Sequence, residues 1–291
     1  MNSQLDTIRL GGVPEHFNAP WLQAIDEQAL SAIGIELQWR DCPGGTGEMM
    51  QLLNEGQLDL VLALSEGAVA AIANGAPARL LQWYVRSPLL WGIHVAASAT
   101  ESELTDLARS RYAISRPGSG SHLMAAVLAQ QQGWPLPTPR ELITVGNLPG
   151  AITALTQAEA DVFLWERFTT QPLVDRGLLR RVGVCPTPWP AFSLVMRQSL
   201  PAVTEAACLR LAGWIVAAVQ DFRQRENVVE LIAERYALAP DQVEEWLGLT
   251  EWATDQSMES ATLESLIDTL MELQLIKQRP TLKQLCHTAP G

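Results

Sequence analysis

Residues 115–122 read SRPGSGSH, and they lie where a short apolar run gives way to helical spacing. Gly118 and Gly120 lack the side chains that would hold a ligand off the backbone. Ser119 and Ser121 add hydroxyls, one of which is expected to cap the helix. A helix start carries partial positive charge and free N–H groups, so this stretch suits an oxyanion or an electron-rich ring atom. A plain strand-to-helix turn with a serine cap explains the same residues. It lacks the lysine of a P-loop and the spacing of GxGxxG. His122, in the first turn, is either a ligand contact or a core-edge residue.

Three further stretches follow the same logic. GGTG at 44–47, including Thr46, is either a good turn or a second backbone cradle. Ser65-Glu66-Gly67 puts an acid at a helix start, where it is favoured by the dipole or aimed at a ligand. Trp165-Glu166 follows a buried strand and suits a flat ligand bearing an amine, with the ring stacking and the acid accepting a hydrogen bond. A core tryptophan with a solvated glutamate is the plainer alternative. Trp83, Trp91 and Trp189 are further aromatic candidates, whereas Trp21, Trp214, Trp246 and Trp252 sit at helical spacing and read as packing.

These stretches recur at the ends of expected strands. Strands are expected at Thr7–Gly11, Ile35–Arg40, Asp59–Leu64, Arg79–Val85 and Trp91–Ala96. Helices are expected at Ala19–Ile33, Gly47–Asn54 and Ala68–Ala73. The alternation then restarts with a helix at Glu101–Ala108, strands at Arg111–Ser115, Glu141–Val145, Asp161–Trp165 and Leu179–Gly183, and helices at Ser121–Gln132 and Ala151–Gln157. A further strand, Phe192–Met196, leads into helices at Ala202–Arg225, Val228–Tyr236, Pro240–Leu247 and Ala261–Leu275. The fold class is therefore α/β with a helical C-terminal region. One unit is inserted in the other: residues 1–96 with 191–291 form a discontinuous first lobe, and 97–190 the second. In open α/β sheets ligands bind beyond the carboxyl ends of strands, so both rims are expected to face one cleft.

Bulk properties narrow the function. The 291 residues carry a net charge of −12, with no basic run, which disfavours nucleic acid and anionic membranes as partners. The apolar run Leu209–Val219 is short for a bilayer span and contains Arg210, so no membrane insertion is expected. The N-terminus MNSQLDTIRLGG lacks a basic n-region and an apolar h-region, and the expected location is the cytoplasm. Cys42, Cys185, Cys208 and Cys286 form no CxxC pair, and His16, His94, His122 and His287 show no ligand spacing. No metal and no cofactor is expected, and no hydrolase motif is present. Trp246, Trp252 and Leu273 are a candidate dimer face.

Four motifs together, LALSEG (62–67), ISRPGSGSHLMA (114–125), FLWERFTT (163–170) and PTPWPAF (186–192), resemble a leaderless, stand-alone group of type II periplasmic-binding-protein-like proteins of bacteria and fungi. That group is similar to the sulfonate-binding and thiamine-pyrimidine-binding proteins, and the resemblance spans roughly residues 5–285. It implies a two-lobe type II fold and a small-molecule ligand between the lobes, with Ser65, Glu66, Ser119, Gly120, Ser121, His122, Trp165 and Glu166 at the walls. It implies no substrate. The cysteine-rich iron motif of the fungal thiamine-pyrimidine synthases has no counterpart here. Two functions compete: a cytosolic binder of a polar heterocycle or anion, and an enzyme of the chorismate dehydratase kind with Glu66, Glu166 or His122 as acid or base.

Overall fold

The computed structural model describes residues 5–100 and 107–288, and the helix expected at Glu101–Ala108 falls almost entirely outside them. The chain divides into two compact units, Met1–Ser87 with Trp189–Gly291, and Pro88–Pro188. It leaves the first unit within one long strand and returns within another. The expected lobe edges at 96/97 and 190/191 fall beside or within those same two strands.

The first unit opens with β1 (Asp6–Gly12), α1 (Ala19–Asp26), β2 (Ile35–Asp41), α2 (Gly45–Asn54), β3 (Leu60–Leu64) and α3 (Ser65–Ala73). β1 pairs in parallel with β2 and with β3. The apolar run LVLAL of β3 is buried almost throughout, as a strand covered on both faces requires. The expected helix Ala19–Ile33 is interrupted: Gln28 takes a left-handed conformation and a 3-10 turn finishes the segment at Gly34.

β4 (Ala78–Ala96) then carries the chain into the second unit. The two strands expected there are one, because Pro88 does not break it; Leu89 N–H next to it donates to Thr187 Oγ1 at 3.0 Å. The second unit runs β5 (Tyr112–Ile114), α4 (Gly120–Gln132), β6 (Leu142–Thr144), α5 (Leu148–Thr156), β7 (Val162–Glu166) and α6 (Arg167–Asp175). β5 pairs in parallel with β6 and β7, and β7 pairs antiparallel with β4. Helix α6 has no counterpart in the sequence reading, since its polar residues and internal Pro172 obscure the helical period.

β8 (Leu179–Arg197) returns to the first unit and pairs antiparallel with β3. It too merges two expected strands. Pro186, Pro188 and Pro190 alternate with buried Cys185, Thr187 and Trp189. Their missing N–H groups therefore all fall on one side of the strand, which needs no ladder partner there.

The helical tail comprises α7 (Ala202–Arg223), α8 (Val228–Tyr236), α9 (Pro240–Leu249), α10 (Ser260–Glu272) and α11 (Leu282–Leu285). By length and composition α7 could cross a bilayer. It buries one stripe, from Ala207 and Leu211 to Ile215, Val219 and Phe222, and packs on β1 and α1. Trp246 and Trp252 are core residues, so they form no dimer face; they meet edge to face with centroids 5.5 Å apart.

Each unit is fastened at the start of its parallel strands by the same arrangement. Arg9 donates to Asp59 from its amide and from Nε and Nη2, and Arg111 does the same to Asp161, with 50 residues between partners in each case. Burial would push the Asp59 carboxyl up, but hydrogen bonds from the Arg9 side chain and amide, with its charge, hold it below the ordinary range. Arg197 adds a third contact to Asp59 at 3.3 Å. The Asp59 side chain is 4% exposed and that of Asp161 is 32% exposed. Asp59→Ala should cost about 2 kcal/mol by urea denaturation, because it takes from the partly exposed Arg9 and Arg197 the buried acceptor they share. Asp161→Ala should cost less, and equal losses would contradict the account. The Asp59 contribution is present above the unfolded carboxylate pKa and disappears as pH falls through its lower folded value.

Candidate functional site

In the first unit the site residues converge on the turn from β3 into α3. Leu64 is the last strand residue and Ser65 the first of the helix. Thr46, in the first turn of α2, accepts the Leu64 N–H at 3.0 Å through Oγ1. Gly67 permits this approach, since a Cβ there would lie 2.7 Å from Thr46 Cγ2. Ser65 is fully buried, and its hydroxyl meets that of Ser193 on β8 at 2.8 Å.

Glu66 is the chemically loaded member. It is 2% exposed. Trp189 Nε1–H donates to Oε2 at 2.9 Å, while Oε1 is buried with no hydrogen-bond partner among the described residues. Burial pushes the carboxyl up to about 7, against the opposing pull of its own amide and of Trp189. A buried carboxyl oxygen left unpaired is costly. The position therefore favours either a proton or an external donor on that oxygen.

In the second unit the predicted residues form two clusters. Ser119 is the N-cap of α4, and its hydroxyl accepts the His122 N–H at 3.3 Å. Ser121 Oγ accepts the Ser115 N–H at 2.9 Å and touches Ser119 Oγ at 3.1 Å. His122 Nδ1 accepts the Gly118 N–H at 3.0 Å, so its Nε2 carries the proton, and burial lowers its pKa. Gly118, at φ +77, makes the turn that permits this. The serine hydroxyls and the imidazole thus seal the turn. The amides of Gly120 and Ser121 open the helix, ahead of the cap's hydrogen bond, where the helical ladder supplies no acceptor.

The second cluster lies at the end of β7. Trp165 is half-buried, stacked on Phe163 with centroids 5.3 Å apart and edge-on to Trp91 at 6.5 Å. Glu166 is buried rather than solvated. It caps α6 by accepting the Thr169 N–H at 2.6 Å. Burial raises its pKa against the pull of the Thr169 and Phe168 amides. Trp91, in register with Glu166 on β4, is 4% exposed and its Nε1–H is a buried donor without a partner.

Several working partners had no sequence signal. Trp189 lies 123 residues from Glu66 and Ser193 lies 128 from Ser65. A separate cavity of about 270 Å³ in the first unit is lined by Arg79, Arg197, Glu205 and His287, among others, and includes none of the predicted residues.

Comparison with solved structures gives the fold. The Candida albicans CA3427 gene product, described as defining a new family with the generic periplasmic binding protein fold, aligns over 98% of this chain and 97% of its own, with TM-score 0.90 and 22% identity. The type II periplasmic-binding-protein fold is therefore present. The alkanesulfonate-binding protein SsuA of Xanthomonas axonopodis pv. citri, bound to MOPS, matches 97% of this chain and 98% of its own, at TM-score 0.79 and 17% identity. The Escherichia coli aliphatic sulphonate-binding SsuA aligns over 97% of this chain and 92% of its own, at TM-score 0.72 and 18% identity. A family model described as Ca3427-like PBP matches residues 91–185. No curated protein matches the sequence. β3–α3 and β7–α6 are both strand-to-helix turns, and each carries a buried glutamate.

The Glu66 environment predicts an unusual pH effect. The folded state holds its proton up to about 7, whereas an unfolded glutamate releases it near 4.5. Ionisation therefore costs stability progressively as pH rises from 4.5 to 7, and fully above that. Glu66→Gln should be at least as stable as the parent at pH 8, with its advantage shrinking toward pH 4.5. Thermal melts across that range check this; a variant equally destabilised at every pH would contradict it.

Proposed function

We propose that the protein is a cytosolic small-molecule binding protein that takes a polar heterocycle or anion at its strand-to-helix turns. The observation that carries this reading is the buried Glu66 carboxyl with one unpaired oxygen, at the end of a strand in a periplasmic-binding-protein fold. Support in the second unit comes from the half-buried Trp165 ring, the unpartnered Trp91 Nε1–H, and the Gly120 and Ser121 amides. Thr46, Ser65, Ser119, Ser121 and His122 would act chiefly by holding the two turns in shape, because their hydroxyl and ring atoms are already engaged. The four cysteines are unpaired and buried, as suits a reducing compartment.

Binding-protein relatives close around their ligands by hinge motion, which excludes water from such groups. A ligand present at a hundred times its Kd stabilises the folded state by about 2.7 kcal/mol. A thermal-shift panel of polar heterocycles, amino acids and sulfonates should therefore yield a compound that raises the melting temperature. Trp165→Ala should weaken its binding about fivefold, from lost stacking worth ~1 kcal/mol. No stabilising compound, or one whose affinity is indifferent to Trp165, would contradict the proposal.

A further inference from the structure

The groups around Glu66 bear on the class of ligand. Trp189 Nε1–H donates to Oε2, and the backbone amide of Glu66 favours the charged form. Both are donors, so both stabilise a carboxylate rather than an acid. Burial pushes the other way and raises the carboxyl pKa. Around the carboxyl, the Ser65 and Ser193 hydroxyls are committed to each other and Thr46 Oγ1 to Leu64 N–H. Glu66 also lies in the first turn of α3, whose dipole favours negative charge there. The remaining lone pairs on Oε1 are thus what this turn offers to a ligand.

We propose that Glu66 Oε1 accepts a hydrogen bond from an N–H group of the ligand, an ammonium, amidinium or exocyclic amino group, so that the site selects N–H-bearing compounds over sulfonates and other anions. This rests on the ligand-binding reading above and names the chemistry of its first-unit half. An N–H donor satisfies this buried oxygen, which has no partner among the described residues. A sulfonate would face a carboxylate across a water-poor gap, or would require Glu66 to take up a proton first. The selection therefore runs opposite to that in the names of the sulfonate-binding structures this fold resembles.

Isothermal titration calorimetry at pH 8 tests this, with one panel of amidines and amino-heterocycles and another of alkanesulfonates and carboxylates. Binders should come from the first panel. Glu66→Gln retains the shape and an acceptor for Trp189, yet it can place an amide N–H where Oε1 stood, and should weaken those binders tenfold or more. Acetamidinium keeps its charge across the working range. Its affinity for the unaltered protein should rise by well over tenfold from pH 5 to pH 8 as the Glu66 carboxyl ionises, a readout independent of how the variant folds. Binding confined to the sulfonate panel overturns this inference and leaves the ligand-binding reading standing. Amine affinity unchanged in Glu66→Gln, or flat with pH, also overturns it alone. Binding from neither panel overturns both.

Discussion

A carboxyl group placed where water does not reach must be matched by donors or stay protonated, and the first unit is organised around that constraint at Glu66. The indole of Trp189 supplies one donor to one oxygen. The strand before it is apolar and buried, so it brings no competing polar group. Gly67 lets α2 come close enough for Thr46 to fix the turn, and the Ser65–Ser193 pair ties the start of α3 to β8. What this leaves is a single unpaired oxygen in a rigid frame. The frame stops short of satisfying Glu66, and that buried polar atom is what the proposed binding site rests on.

The second unit uses the same parts to a different end. Its glutamate, Glu166, stands two positions earlier relative to the helix, as the N-cap of α6, and spends an oxygen on the Thr169 amide. Its unpaired groups include a donor, the Trp91 indole N–H, buried without a partner among the described residues. Both units anchor the opposite ends of their parallel strands with the same arginine–aspartate clamp. The clamp fixes where the strands begin, and so how far their turns project. Asp59 does this from within the core and Asp161 nearer solvent, which makes the first unit's frame the more strongly determined.

Much of this was legible in local sequence. Alternating apolar runs and helical spacing located β1, β3, α4 and the tail helices, because those patterns reflect burial by nearby elements. The serine cap at 119 could be read from residues 115–122 alone, since capping is a short-range interaction. Prolines and polar residues interrupt the apolar pattern of the long strands β4 and β8, so each reads as two; β8 continues because its prolines, which lack an N–H, all fall on one side. Helix α6 hid behind Pro172. Glu66 and Glu166 were legible as candidates, but not their difference in role. That difference depends on Trp189, Thr169 and Trp91, and the first of these is brought to Glu66 only by folding. The candidate dimer face failed for a related reason: aromatic residues at helical spacing mark a packed face without saying what packs on it.

The ionisation of Glu66 itself tests the central claim most directly. Carbon-13 labelling of the glutamate carboxyls, with the Glu66 signal assigned by its loss in Glu66→Gln, allows the titration to be followed by NMR in the unliganded protein. The account predicts an inflection near 7, displaced upward by burial. An inflection in the ordinary glutamate range near 4.5 would mean that water reaches the carboxyl freely, and the buried, unpaired oxygen on which the binding site rests would not exist.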